Sequence, residues 1–218
     1  MIRTAIKKKL SQNIENSFKK LWEKAPQQPA FIKERGFDYL NEGFSQNSLL
    51  FVGINPAYSE KPKKEGNQEK TYPYFQHIED AAKRCGYGDN FSVIDVLAIR
   101  CTKLKDIKDA INNRPDVKDF CVEQFKIFKV SVKEINPSVI WVCNAYAREW
   151  IINKGFNPEA FTVKYDEITG VHYIQDSGLK YTPIIFSGML GGSHPMDKGS
   201  RDEHEWKIRF LKKKKRCL

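Results

Sequence analysis

The sequence predicts an α/β protein, a three-layer α/β/α sandwich built on a mostly parallel central sheet. Three observations carry this expectation. Short apolar runs at Leu49–Val52, Ser138–Asn144 and Pro183–Phe186 have the length and composition of strands buried on both faces. Longer stretches with apolar residues at helical spacing separate these runs, which is the alternation expected of a parallel sheet covered by helices. Gly, Pro and Asn punctuate the joins, as at Gly53, Pro56, Gly86, Asn136-Pro137 and Gly155.

In chain order, Ile6, Leu10, Ile14, Phe18, Leu21 and Trp22 recur at helical spacing between lysines, predicting an N-terminal helix over 5–24 that Pro26 closes. Phe31 to Leu40 reads as a second short helix. Leu49–Val52 is the central strand, and Ser59 to Lys70, polar and lysine-bearing, reads as a mobile loop over its end. Phe75, Ile78, Ala82 and Cys85 form a helix capped at Gly86. Phe91 to Arg100 reads as the next strand, with Asp95 inside it. Val117 to Ile135 is a long amphipathic helix ended by Asn136-Pro137. After the strand ending at Asn144 come a helix over Ala145 to Asn153 and an antiparallel hairpin around Thr169-Gly170. The last strand, Pro183–Phe186, opens into a glycine-rich loop. Ser200-Arg201-Asp202-Glu203 has the capping-box pattern of a C-terminal helix through Trp206, Phe210 and Leu211.

The 218 residues are long enough for one well-buried core, and nothing divides them, so a single domain over 1–218 is expected. Hydrophobic residues at 40% and charged residues at 29% describe a globular body rather than a disordered one. No apolar run is long enough to cross a bilayer, and the N-terminus has no signal-peptide pattern, so no membrane partner and a cytoplasmic location are expected. The net charge of +10 points to a polyanion such as DNA, although the tail over 212–218, with Lys212 to Arg216, supplies five positive charges of its own. The five cysteines are widely spaced without a C-x-x-C pair, so neither a disulfide framework nor a local metal motif is signalled. No protein partner is indicated.

The stretch that carries chemistry is Gly53-Ile54-Asn55-Pro56-Ala57. It delivers Asn55 at the carboxyl end of a buried strand, where open α/β sheets bind ligands, with Gly53 allowing close approach and Pro56 stiffening the turn. A plain strand-to-loop turn is the other reading, since Asn-Pro is ordinary turn chemistry. A carboxylate inside a strand, as read for Asp95, needs a partner: Arg100, a backbone amide, or a ligand that donates hydrogen bonds.

This order of motifs resembles the uracil-DNA glycosylase superfamily, in particular its mismatch-type and single-strand-selective branches, whose first motif reads GINPG or GMNPG. The resemblance runs from about Leu49 to Leu211 and implies a DNA-repair hydrolase that excises a flipped base. It implies that Asn55 holds the attacking water. Gly53, Ile54, Pro56 and Ala57 would line the base pocket, with Asn144, Ser187 and Gly188 at the ends of the later strands, and Tyr74 or Phe75 would stack on the base. Asp95 falls where many relatives place the Asn that reads the uracil edge. An ionised Asp only accepts hydrogen bonds and so suits a base presenting an amino donor. The second motif, HPSPLS or NPSGLS in relatives, follows the last strand. Here Ser187-Gly188-Met189-Leu190 follows that strand directly and His194-Pro195 comes later. His194 would donate to the leaving base if the loop folds back, and Met189 or Leu190 would fill the gap left by a flipped nucleotide. In uracil-selective relatives a tyrosine follows the motif's proline, whereas here Ala57 does and Tyr58 stands one residue further on.

The chemistry agrees with the residue types. Cleavage of an N-glycosidic bond passes through an oxocarbenium-like sugar, so a water-positioning amide suffices where the site stabilises the departing base. No metal and no nucleotide cofactor are expected. The alternatives are a non-catalytic nucleic-acid-binding member of the same fold, and an unrelated hydrolase of a nucleotide or nucleoside. The absence of a Ser nucleophile elbow weakens the second of these.

Overall fold

The computed structural model describes residues 2–39, 45–58, 73–191 and 195–215. Among them are seven helices and one six-stranded mixed sheet. The helices are α1 (Ile2–Trp22), α2 (Ala30–Glu34), α3 (Pro73–Arg84), α4 (Leu104–Asn113), α5 (Pro115–Ile135), α6 (Ala145–Ile152) and α7 (Lys198–Lys215). The strands are β1 (Leu49–Gly53), β2 (Phe91–Asp95), β3 (Val139–Val142), β4 (Val163–Asp166), β5 (Val171–Ile174) and β6 (Pro183–Phe186), in the spatial order β2-β1-β3-β6-β5-β4. β2, β1, β3 and β6 are parallel, and the β4–β5 hairpin adds antiparallel strands at one side.

Alternation along each parallel strand sends neighbouring side chains to opposite faces. Leu50, Val52, Ile94, Ile140, Val142 and Ile184 join one core cluster with residues of α1, α4, α5 and α6. Leu49, Phe51, Val93, Val139, Trp141 and Ile185 join a second with residues of α3 and α7. Helices therefore cover both faces, which is why these strands read as unbroken apolar runs. The two connections leaving the centre diverge: the chain after β1 enters α3 on one face, and the chain after β3 enters α6 on the other. That divergence is the switch point at which doubly wound sheets open a crevice beyond their carboxyl ends.

Several expected boundaries move. The second helix stops at Glu34, and Gly36 with φ of +62° turns the chain so that Phe37 bridges to Ile99. β2 ends at Asp95 rather than continuing to Arg100, because the residues beyond it bond to the loop after β1 instead of to a ladder. α4 was not expected; Leu104, Ile107 and Ile111 carry its buried stripe. Ser200 does not cap α7: Asp197 does, accepting from Ser200 N at 2.9 Å and Ser200 Oγ at 2.6 Å. Arg84 of α3 ties α7 down with two bonds to the buried Glu205, at 2.9 and 3.0 Å. On the outer side of α7, Trp206 and Phe210 stack with ring centres 5.6 Å apart while remaining 58% and 42% exposed. Cys85, Cys101, Cys121 and Cys143 are buried free thiols. No helix among the described residues is long and apolar enough to cross a membrane.

Candidate functional site

The site follows from strand register. Gly53 lies opposite Asp95 across the β1–β2 pair. Val52 pairs with Val142 and Val142 with Phe186, so the next positions, Gly53, Cys143 and Ser187, continue the same line across β1, β3 and β6. Each follows by two a residue of the α3-side core: Phe51, Val93, Trp141 and Ile185. Asp95, Gly53, Cys143 and Ser187 thus form one row at the carboxyl edge, facing α3. The first turn of α3 stands over this row, with the Tyr74 hydroxyl 4.0 Å from the place a β-carbon on residue 53 would take. The carboxyl of Asp95 fills that place, and only glycine permits it.

The row is a poorly solvated, weakly compensated environment. Asp95 receives no hydrogen bond among the described residues, and burial, aided by the charge of Asp38, pushes its carboxyl up to about 7. Burial also raises the Tyr74 hydroxyl well above its ordinary value, with Cys143 and Asp95 adding to the shift. The Cys143 thiol is likewise raised by burial. Ser187 is held by Trp141 Nε1, which donates to its Oγ at 2.8 Å, and it donates in turn to the Gly188 carbonyl at 2.9 Å. Arg100 is not the partner of Asp95. Its Nη1 donates to the Arg35 carbonyl at 3.2 Å, and its guanidinium lies over the Tyr58 ring.

Asn55 stands two residues beyond Gly53. Its Nδ2 faces three carbonyls, those of Pro56 at 3.0 Å, Ile99 at 3.2 Å and Cys101 at 2.6 Å. The amide therefore staples the loop after β1 to the loop after β2, and its orientation follows from the neighbours all being acceptors. Among the described residues Oδ1 has no hydrogen-bond donor.

The other sequence candidates divide. Phe75 packs edge-on against Tyr74, with ring centres 5.7 Å apart, and both are part-buried beside the row. Ala57 and Gly188 are exposed at the same edge. Ile54 is 7% exposed and its side chain belongs to the opposite core, so it lines no pocket over the row. Pro56 is buried and offers its carbonyl to Asn55 and to Cys101 N. Asn144 is the N-cap of α6: its Oδ1 accepts from Tyr146 N at 2.8 Å and Ala147 N at 3.1 Å. Leu190, 4% exposed in the α3-side core, is no surface wedge, whereas Met189 beside it is 39% exposed. Met196 N donates to the Met189 carbonyl at 2.7 Å, which holds these two described positions of the loop after β6 together. His194 lies outside the described residues, as does the lysine-bearing stretch Ser59 to Lys70.

Sequence reading missed one member of the row and one neighbour of the loop after β6. Cys143 appeared only as an unpaired cysteine, although its parity with Trp141 places it in the row. His77, one turn along α3 from Tyr74, abuts Gly191; its i, i+3 spacing from Tyr74 was the available signal. Among the described residues no group of three His, Cys, Asp or Glu side chains could hold a metal ion. No family model matches the chain, and no curated protein sequence matches it significantly.

Proposed function

We propose that this chain is a DNA glycosylase, hydrolysing the N-glycosidic bond of a flipped uracil or related damaged base. The observation that supports this most is the Asp95–Gly53 pair beside Tyr74: a carboxyl that has no hydrogen bond among the described residues, laid against the bare backbone of Gly53, with an aromatic hydroxyl close by. A planar heterocycle with donors and acceptors on its edge answers each of these features. Asn55 stands beside this pair with Nδ2 fixed on carbonyls and Oδ1 able to accept from a water, which is the polarity that positions a water for attack. The net charge of +10 suits a polynucleotide better than a free nucleoside. The resemblance of Gly53 to Ala57 to the first glycosylase motif supports the same reading.

A second reading is favoured by one specific feature. The three-carbonyl staple made by Asn55 is a complete structural role in itself, and a non-catalytic nucleic-acid-binding module of the same fold would need no more of it. One experiment separates the two. Oligonucleotides carrying deoxyuridine, hypoxanthine or a mismatch are incubated with the chain, then cleaved with alkali. Strand scission at the modified base supports the glycosylase, while retention of the labelled strand on the protein without scission supports the binding module. Neither binding nor scission removes both.

A further inference from the structure

We propose that Arg35, Arg100 and Tyr58 form a clamp for a phosphate group beside the carboxyl edge of the sheet. Hydrogen bonds place the three segments that carry them. Beyond the sheet, the chain after β1 and the chain after β2 run side by side, with Leu97 N on the Ile54 carbonyl at 2.8 Å and Cys101 N on the Pro56 carbonyl at 3.0 Å. Tyr58 is pinned at both main-chain atoms: its N–H donates to Thr102 Oγ1 at 3.2 Å, and Thr102 Oγ1 donates to its carbonyl at 2.6 Å. The segment after α2 joins the other side of the second strip, through Asp38 N on the Ala98 carbonyl and the bridge from Phe37 to Ile99.

Two guanidinium groups converge on the Tyr58 ring as a result. Cζ of Arg35 lies 4.5 Å and Cζ of Arg100 5.2 Å from its centre. Like charges drawn to one ring repel unless an anion joins them. Arg84 and Arg114, by contrast, pair with the carboxylates of Glu205 and Asp116. Among the described residues neither Arg35 nor Arg100 has an ion-pair partner. Their other neutral contacts are modest: Arg35 also lies over the Phe31 ring, 5.2 Å from its centre, and its Nη1 reaches Cys101 Sγ at 3.8 Å, while Arg100 Nη1 reaches the Arg35 carbonyl. Among the described residues Nε of Arg100 is buried without an acceptor. The π face of tyrosine attracts a cation but cannot accept that N–H along the guanidinium plane.

What the site lacks is a compact acceptor with several oxygens and a negative charge, and a phosphate meets the fixed fork of arginine in that way. The shared chemistry is a phosphate oxygen pair, from either a terminal monoester or the diester of a polynucleotide. Tyr58 follows Asn55 by three residues and Arg100 follows Asp95 by five, so the bound phosphate adjoins the row described above. The diester form rests on the proposed glycosylase reading; the clamp itself does not.

Phenylglyoxal modification of the full chain, mapped by mass spectrometry at each arginine, tests this directly. Three arms at matched ionic strength contain chloride, inorganic phosphate, or a thymidine oligonucleotide without terminal phosphates. Arg35 and Arg100 should be protected together, several-fold, in at least one phosphate arm, while Arg114 reacts equally in all three. Protection by inorganic phosphate alone assigns a monoester, and protection by the oligonucleotide assigns the diester. Equal modification of Arg35 and Arg100 in every arm overturns the clamp. Where the oligonucleotide protects, Arg35→Gln should lower the slope of log affinity against log salt by roughly 0.7–0.9, and Arg35→Lys should keep it. An unchanged slope in Arg35→Gln overturns the clamp as the protected element. Base release is scored separately: protection without release leaves the clamp and removes the glycosylase, and release without protection does the reverse.

Discussion

Gly53 and Asp95 exclude each other's enlargement: a β-carbon on residue 53 would stand 2.1 Å from Oδ1 and 3.4 Å from Cγ of Asp95. Gly53→Ala must therefore displace the carboxyl or bend β1, at a cost of about 1–3 kcal/mol. Asp95→Ala removes the obstruction, so the double variant should recover much of that loss. A double-mutant cycle in urea should show a coupling of at least about 0.5 kcal/mol, and strictly additive values would mean that the two do not meet.

Asp95 makes stability fall with rising pH. Its carboxyl titrates at about 7 in the fold, against 3.8 as the ordinary value, so between these limits the folded chain holds a proton that the unfolded chain has released. The associated stability is complete below about pH 4 and lost above about pH 7. Three units correspond to an upper bound of about 4 kcal/mol, reduced by the solvent that still reaches this part-buried group. Asp95→Asn should flatten the profile, raising the melting temperature at pH 8 more than at pH 5; equal shifts at both would count against the protonated acid.

The same proton alters what the site can read. Sequence reasoning treated Asp95 as an ionised acceptor suited to an amino group, but a protonated carboxyl has one donor and one acceptor, like the amide of Asn. Wild-type excision of uracil relative to amino-bearing bases should therefore rise as pH falls below 7, and Asp95→Asn should hold the uracil preference constant from pH 6 to 8. The oligonucleotide panel at three pH values measures both, and a pH-independent wild-type preference would set Asp95 apart from base reading.

Asn55→Ala should abolish base release and also cost about 1–3 kcal/mol, because three carbonyls lose their donor. A carboxylate orients water more strongly than an amide, which by itself favours Asn55→Asp. The structure opposes that substitution, since the new oxygen would face the same three carbonyls. Asn55→Asp should be no more stable than Asn55→Ala at pH 8, as judged by urea midpoints. Full base release by Asn55→Ala would reduce this residue to a turn staple.

Asn144 separates capping from substrate contact. Asn144→Ala should cost about 1 kcal/mol through the lost N-cap of α6 and leave the bases excised unchanged, while Asn144→Ser should restore most of the stability. A selective loss of base release at full stability would return Asn144 to the pocket.

The layered fold was legible because the parallel strands are buried on both sides, so Leu49–Val52 and Pro183–Phe186 announce themselves as apolar runs. The length of β2 was misread for the same reason. Val96 to Ile99 are as buried as a strand, yet they bond to the loop after β1 and to the segment after α2 rather than extending β2, and hydropathy cannot tell the two apart. Ile54 and Leu190 show a second limit: proximity to a motif says nothing about which face a side chain takes, and both point into a core. Cys143 entered the row through register, which appears only when strand order is known. Asn144 was placed correctly at a strand end, but capping claimed it first, as small polar residues before helices often are.

The stacked pair on α7 has an optical consequence. Of the chain's four tryptophans, Trp22, Trp141 and Trp150 are at most 9% exposed, and Trp206 alone faces water. Intrinsic emission therefore divides into a quencher-accessible component from the terminal helix and a shielded one from the interior. Acrylamide titrated along a denaturation curve resolves the two, so detachment of α7 from Arg84 and melting of the sheet can be timed against each other without attaching a dye.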